Sequence, residues 1–139
     1  MSSGGIGVGI MNERLENGYI TEEKFVIECL KRNTPISRPI FNIQKYDFIV
    51  EANEKVYRVQ VKKGFSQNNG YVVELRNTSM RANGKKRVCL SESKNVDFLA
   101  VDCDSEWFII PFEEIKHIKS NISINGNTKY YKYKNNWSF

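Results

Sequence analysis

The sequence predicts an α/β fold in which a mixed central sheet is flanked by helices. Three observations carry this. Residues 46 to 51 and 56 to 63 are apolar-rich runs that alternate with period two around a polar turn. Residues 96 to 103 and 106 to 112, VDFLAVDC and EWFIIPF, repeat the pattern around Asp104-Ser105. Ahead of both, TEEKFVIECLKRN has helical spacing. A chain of 139 residues with 40% hydrophobic content buries a core as one domain without staples.

Taken in order, residues 1 to 10, MSSGGIGVGI, are Gly-rich and expected to be mobile. Their GIGVG has no strand before it and no Lys after it, which argues against a phosphate-binding loop. Residues 11 to 20 are ambiguous and compatible with a short helix ending near Asn17-Gly18. Thr21 then reads as the N-cap of a helix running to about Arg32, with Glu22 and Glu23 in its first turn. Val26, Ile27 and Leu30 are its expected apolar stripe, and Glu23 stands at the end of that stripe. Pro35 and Pro39 bracket an extended piece. After the first hairpin, FSQNNG reads as a turn and YVVELR, residues 71 to 76, as a strand. PFEEIKHI reads as a helix opened by Pro111, and the Lys- and aromatic-rich tail TKYYKYKNNW as a last strand or edge.

Composition removes several function classes. No apolar run approaches the roughly 20 residues that span a bilayer, and no basic n-region precedes an apolar h-region, so a cytoplasmic protein away from membranes is expected. Cys29, Cys89 and Cys103 are scattered and odd in number, which argues against a disulfide framework or a zinc site and for buried thiols. His117 is the single histidine, and its place after PFEEIKHI suits a helix C-terminus rather than a catalytic dyad. Net charge is +5, and residues 76 to 87, RNTSMRANGKKR, hold five bases and no acid. This Gly/Asn/Ser-rich stretch is expected to be a loop, with Arg76, Arg81, Lys85, Lys86 and Arg87 contacting phosphates and Asn77, Arg81 and Asn83 available to base edges.

The first hairpin carries the chemistry. With the turn centred on Asn53-Glu54, opposed residues have numbers that sum to 107, so Asp47 faces Gln60. Alternation puts Arg58, Gln60 and Lys62 on that face, and Phe48, Val50, Val59 and Val61 on the core face. A slip of one residue would bury Gln60 and Lys62, so the register is well specified. Lys63 points to the opposite face from Lys62. A carboxylate, an amide oxygen and an ammonium are thus gathered, either as an exposed sheet face or as a site for a hard cation.

Asp47 followed by Gln60-Val61-Lys62 on the next strand resembles the PD-(D/E)XK nuclease superfamily. The element order around it is similar to a branch of small group I intron homing endonucleases that place Gln in the (D/E) position. The preceding helix with Glu23, the Ser37-Arg38-Pro39 lead into Tyr46-Asp47, the later hairpin and Trp137 all take part, over roughly residues 20 to 137. The resemblance implies a restriction-endonuclease-like core and a metal-dependent DNA endonuclease. It implies Asp47 as the central metal ligand, Gln60 as a second oxygen donor, Lys62 as the residue that positions water, and Glu23 as the helix's contribution, with Glu22 its rival. Mg²⁺, or Mn²⁺ in its place, is the implied cofactor; double-stranded DNA is the implied partner of a homodimer or homotetramer. A Holliday-junction resolvase of the same core, a non-catalytic DNA-binding module and a basic domain for a protein partner are the alternatives.

Overall fold

The computed structural model describes residues 13–40, 46–81, 84–89 and 96–139, with 13–15, 77–81 and 84–89 described by backbone. One α-helix, α1 (Glu13–Lys31), precedes ten strands among these residues. In chain order they are β1 (Ile36–Ser37), β2 (Phe48–Ala52), β3 (Lys55–Lys63), β4 (Phe65–Gln67), β5 (Gly70–Glu74), β6 (Arg76–Arg81), β7 (Gly84–Cys89), β8 (Phe98–Cys103), β9 (Glu106–Pro111) and β10 (Asn121–Ile124). The central sheet runs β1-β2-β3-β8-β9. It is mixed, because β3 and β8 are parallel, with Val59 beside Phe98 and Lys63 beside Asp102, and the other pairs are antiparallel.

The two hairpins of this sheet turn as expected. Phe48 pairs with Val59 and Ala52 with Lys55, the register that sums to 107. Asn53 and Glu54 both take positive φ, 57° and 61°, as do Asp104 and Ser105 at 53° and 73°. Two left-handed residues in a two-residue loop match the right-handed strand twist, and Asn and Asp tolerate that conformation best.

Each face of the sheet has its own core. On one face, Phe25 and Cys29 of α1 pack on Phe48, Val50, Val59, Val61, Ala100, Trp107 and Ile109, with Trp137 against the cluster. On the other, Leu99, Val101, Phe108 and Ile110 meet Val73, Leu75, Ile122 and Ile124. These last four belong to or adjoin a second antiparallel sheet, β10-β5-β4. The layers are therefore helix, mixed sheet and small sheet. No helix of the described residues is long and apolar enough to cross a membrane.

Several local expectations are corrected. The helix does not begin at Thr21; it begins at Glu13 and passes through Gly18. Thr21 is 3% exposed and its hydroxyl donates to the Asn17 carbonyl at 2.8 Å, so back-bonding within the helix satisfies it. The buried stripe is Thr21, Phe25 and Cys29, four apart, whereas Ile27 and Leu30 are exposed. The helix stops in a Schellman motif: Thr34 N–H reaches the Cys29 carbonyl, and Asn33 takes φ 55°.

FSQNNG is not wholly a turn; Phe65–Gln67 forms β4, and Asn68 with φ 54° starts the reversal into β5. YVVELR divides: β5 ends at Glu74, and Arg76 opens β6. PFEEIKHI forms a 3-10 turn at Phe112–Glu114, because Phe112 and Ile115, three apart, are the residues that bury. His117 is exposed beyond it. The tail forms a second 3-10 segment, Lys129–Tyr133, touching β9 through a Phe108–Lys134 bridge. Residues 76 to 81 and 84 to 89 are no loop: they form β6 and β7, a separate two-stranded antiparallel ribbon, with Arg76 opposite Cys89 and Arg81 opposite Gly84. The mobility expected of residues 1 to 10, the burial of Cys89, and the side chains of Asn77, Arg81, Asn83, Lys85, Lys86 and Arg87 lie outside the described residues.

Candidate active site

Asp47 sits just before β2, and its backbone N–H donates to the Val59 carbonyl at 2.8 Å. The β2–β3 register ends at Phe48 opposite Val59, and the Asp47 N–H takes the carbonyl of that same Val59 instead of continuing the pairing to Gln60. Its Oδ2 accepts from the Val61 N–H at 2.8 Å, which ties the carboxylate to the strand that bears Gln60 and Lys62. The structure thus brings Asp47, Gln60 and Lys62 to one end of one hairpin. Gln60 and Lys62 are half-buried. Arg58, two residues earlier on that face, is engaged elsewhere: its backbone N–H donates to Asp97 Oδ2 at 2.8 Å and its Nε approaches the same oxygen at 3.4 Å.

The helix completes the cluster through Glu22. Burial of Phe25 and Cys29 rotates α1 so that Glu22, three residues before Phe25, turns toward the sheet. Burial first, and the Asp47 carboxylate second, push the Glu22 carboxyl up to about 7, against the pull of Arg38. Asp47 is raised from its ordinary value chiefly by burial, with the Val61 N–H, Lys62 and Arg38 drawing it down. Glu23 lies at the rim: it accepts from Nη2 of Arg38 and is about half exposed. Both carboxylates of the helix's acidic pair lie near this end of the sheet, Glu22 toward Asp47 and Glu23 on Arg38.

Two partly desolvated carboxylates within electrostatic reach of each other are unfavourable in the absence of a cation, and relief by a bound cation is the chemistry such a donor set invites. Among the described residues no group of three His, Cys, Asp or Glu side chains is placed to hold a metal ion. Asp47 and Glu22 are the carboxylates that could share one, and an oxygen donor set suits Mg²⁺, which keeps several of its waters. The two described thiols take no part. Cys29 and Cys103 are buried and pushed up to about 12 by that burial, so they remain protonated. The depression at the β2–β3 turn, lined by Glu51 to Val56, lies at the opposite end of the hairpin from Asp47.

Arg76 is the base of the ribbon whose side chain is described. Its backbone N–H donates to Glu74 Oε1 at 3.1 Å and its Nε lies 3.4 Å from the same oxygen.

A mixed sheet with an acidic helix on one face and an Asp…Gln-x-Lys hairpin at its end defines a nuclease core, and the sequence comparison agrees. The sequence model of the PD-(D/E)XK endonuclease family matches residues 11–139, so this chain belongs to that family and is a nuclease. Among solved structures, the chain resembles that of a bacterial homing endonuclease, I-Ssp6803I, with a TM-score of 0.75 and 18% identity over 91% of each chain. At that identity the likeness shows the shared restriction-endonuclease-like fold. A search of curated proteins found no match.

Proposed function

We propose that this chain is a metal-dependent endonuclease that hydrolyses phosphodiester bonds in double-stranded DNA. The observation that carries it is the Glu22–Asp47 pair beside Lys62, two carboxylates raised chiefly by burial, Glu22 also by the charge of Asp47, in a chain of the PD-(D/E)XK family. In this reading Asp47, Glu22 and the Gln60 amide oxygen hold Mg²⁺ or Mn²⁺. When bound, the ion supplies Lewis-acid charge and acidifies a water. Lys62 hydrogen-bonds that water on its approach and stabilises the negative charge that grows on the phosphoryl oxygens. Asp47, fixed by the Val61 N–H, keeps the donor set aligned with Lys62 on the adjacent strand. Glu23 anchors Arg38 at the rim of the site.

The β6–β7 ribbon supports a DNA reading from the other side. A two-stranded antiparallel ribbon fits the major groove, and Arg76, Arg81, Lys85, Lys86 and Arg87 all fall on it. The fold shared with a bacterial homing endonuclease favours a site-specific enzyme, and cutting both strands favours a homodimer or homotetramer.

The test is cleavage of a pool of random-sequence duplexes and of a four-way junction, with and without Mg²⁺, by wild type and Lys62→Ala. The reading expects metal-dependent cuts in duplex DNA that vanish in the variant. Cleavage confined to the junction would make the chain a resolvase. Cuts that persist in Lys62→Ala would remove the proposed mechanism.

A further inference from the structure

Arg38 pairs with Glu23 and lies within electrostatic reach of Glu22 and Asp47. β1 pairs with β2 with Ile36 opposite Val50 and Ser37 opposite Ile49, so the next step sets Arg38 opposite Phe48, the neighbour of Asp47. Phe48 faces α1 in the buried core, and Arg38 extends over it, its guanidinium carbon 5.1 Å from the ring centroid. There Nη2 meets Glu23. The side chain stays 51% exposed. Aromatic contact on one side and a carboxylate on another fix the plane of the guanidinium, while the pair with Glu23 engages one of its five N–H donors and leaves the fork open toward solvent.

Charge at this rim also has a consequence. Among the described residues, the carboxylates of Glu22, Glu23 and Asp47 face two cationic side chains, Arg38 and Lys62. With one divalent ion the cluster carries a single positive charge, which matches the single negative charge of a phosphodiester. Without Arg38 the loaded cluster would be neutral, and three carboxylates would confront the backbone with Lys62 as their one cationic side chain.

We propose that Arg38 is a substrate-binding residue of the site: a guanidinium held by Glu23 and the Phe48 ring so that its fork takes a DNA phosphate next to the reacting one. A planar fork matches a phosphate's two oxygens as an ammonium does not. Arg38 therefore acts apart from the β6–β7 ribbon, at the chemistry rather than along the flank.

This inference rests on the nuclease reading, and its test separates the two. Binding of a fluorescein-labelled random duplex is measured by anisotropy in Ca²⁺ over a salt series, for wild type, Arg38→Gln, Arg38→Lys and Glu23→Gln, each checked for folding by circular dichroism. Arg38→Gln is expected to reduce the slope of log affinity against log salt by about 1. Arg38→Lys is expected to keep the slope and to bind several-fold more weakly, because the charge stays and the fork is lost. Glu23→Gln is expected to keep the slope, because the guanidinium remains. A wild-type slope left intact in Arg38→Gln, or full affinity in Arg38→Lys, overturns the role of Arg38 and leaves the nuclease reading standing. An equal loss of slope in Glu23→Gln makes Arg38 a structural partner instead. Absence of salt-sensitive binding by wild type removes both.

Discussion

Two aspartates on the central sheet have opposite surroundings. Asp102, on β8, is 2% exposed and fully answered: Lys24 of α1 reaches its Oδ2 at 2.6 Å and the Ser105 N–H its Oδ1 at 2.7 Å. Asp47, just before β2, is less deeply buried, yet burial outweighs the Val61 N–H, Lys62 and Arg38, and Glu22, a second carboxylate raised by burial, lies within its electrostatic reach. One carboxylate locks the helix onto the sheet. The other is held in place and left under-compensated. A carboxylate that serves packing is neutralised by its own chain, and one that serves a cation or a substrate keeps charge in reserve.

The contrast breaks most sharply in catalysis. Asp47→Asn is expected to lower metal-dependent cleavage of duplex DNA by at least about a hundredfold, in the range seen when a charge-stabilising group is removed. Asp102→Asn, measured at a temperature well below its unfolding transition, is expected to retain most activity. Initial rates of nicking check both.

Stability should invert the order. Breaking a fully buried ion pair costs about 3–5 kcal/mol; because the Lys24 side chain is 37% exposed, Asp102→Asn is expected to cost about 2 kcal/mol in urea unfolding at pH 7. Asp47→Asn, which removes a carboxylate that its site penalises when ionised, is expected to be neutral or stabilising in the metal-free protein.

The smallest effect sharpens the pairing of the two site carboxylates. Glu22 rises from 4.5 to about 7 on folding, so the metal-free folded state holds a proton that the unfolded state has released. Wild type should lose stability as pH climbs from about 4.5 to 7 and then level off. Glu22→Gln escapes that loss. Its gain should be absent below pH 4.5 and, after allowance for solvent at a half-exposed group, reach about 1 kcal/mol above pH 7. Urea midpoints across that range read the crossover.

The hairpin that bears the site was legible because local rules alone specify it. Alternation fixes the faces of Phe48, Val50, Val59 and Val61, and Asn53-Glu54 fixes the turn, so the register followed without tertiary information. The rotation of α1 was not legible. Val26, Ile27 and Leu30 form as apolar a stripe as Thr21, Phe25 and Cys29, and what decides between them is contact with the sheet and the Lys24–Asp102 pair, a link across 78 residues. That rotation also turns Glu22 toward Asp47 while Glu23 pairs with Arg38. β10 was missed for a related reason: NISI is four residues among Gly and Asn, and it is a strand because Ile122 and Ile124 bury in the core between the sheets and pair with Val73 and Tyr71. The basic ribbon hid likewise, since its residues favour a loop until paired.

The most direct test of the central claim is isothermal titration of metal-free protein with Mn²⁺ at neutral pH, for wild type, Asp47→Asn and Asp102→Asn. The account predicts saturable binding in wild type, its loss in Asp47→Asn and its survival in Asp102→Asn. Binding that persists in Asp47→Asn, or that depends on Asp102 instead, would contradict it.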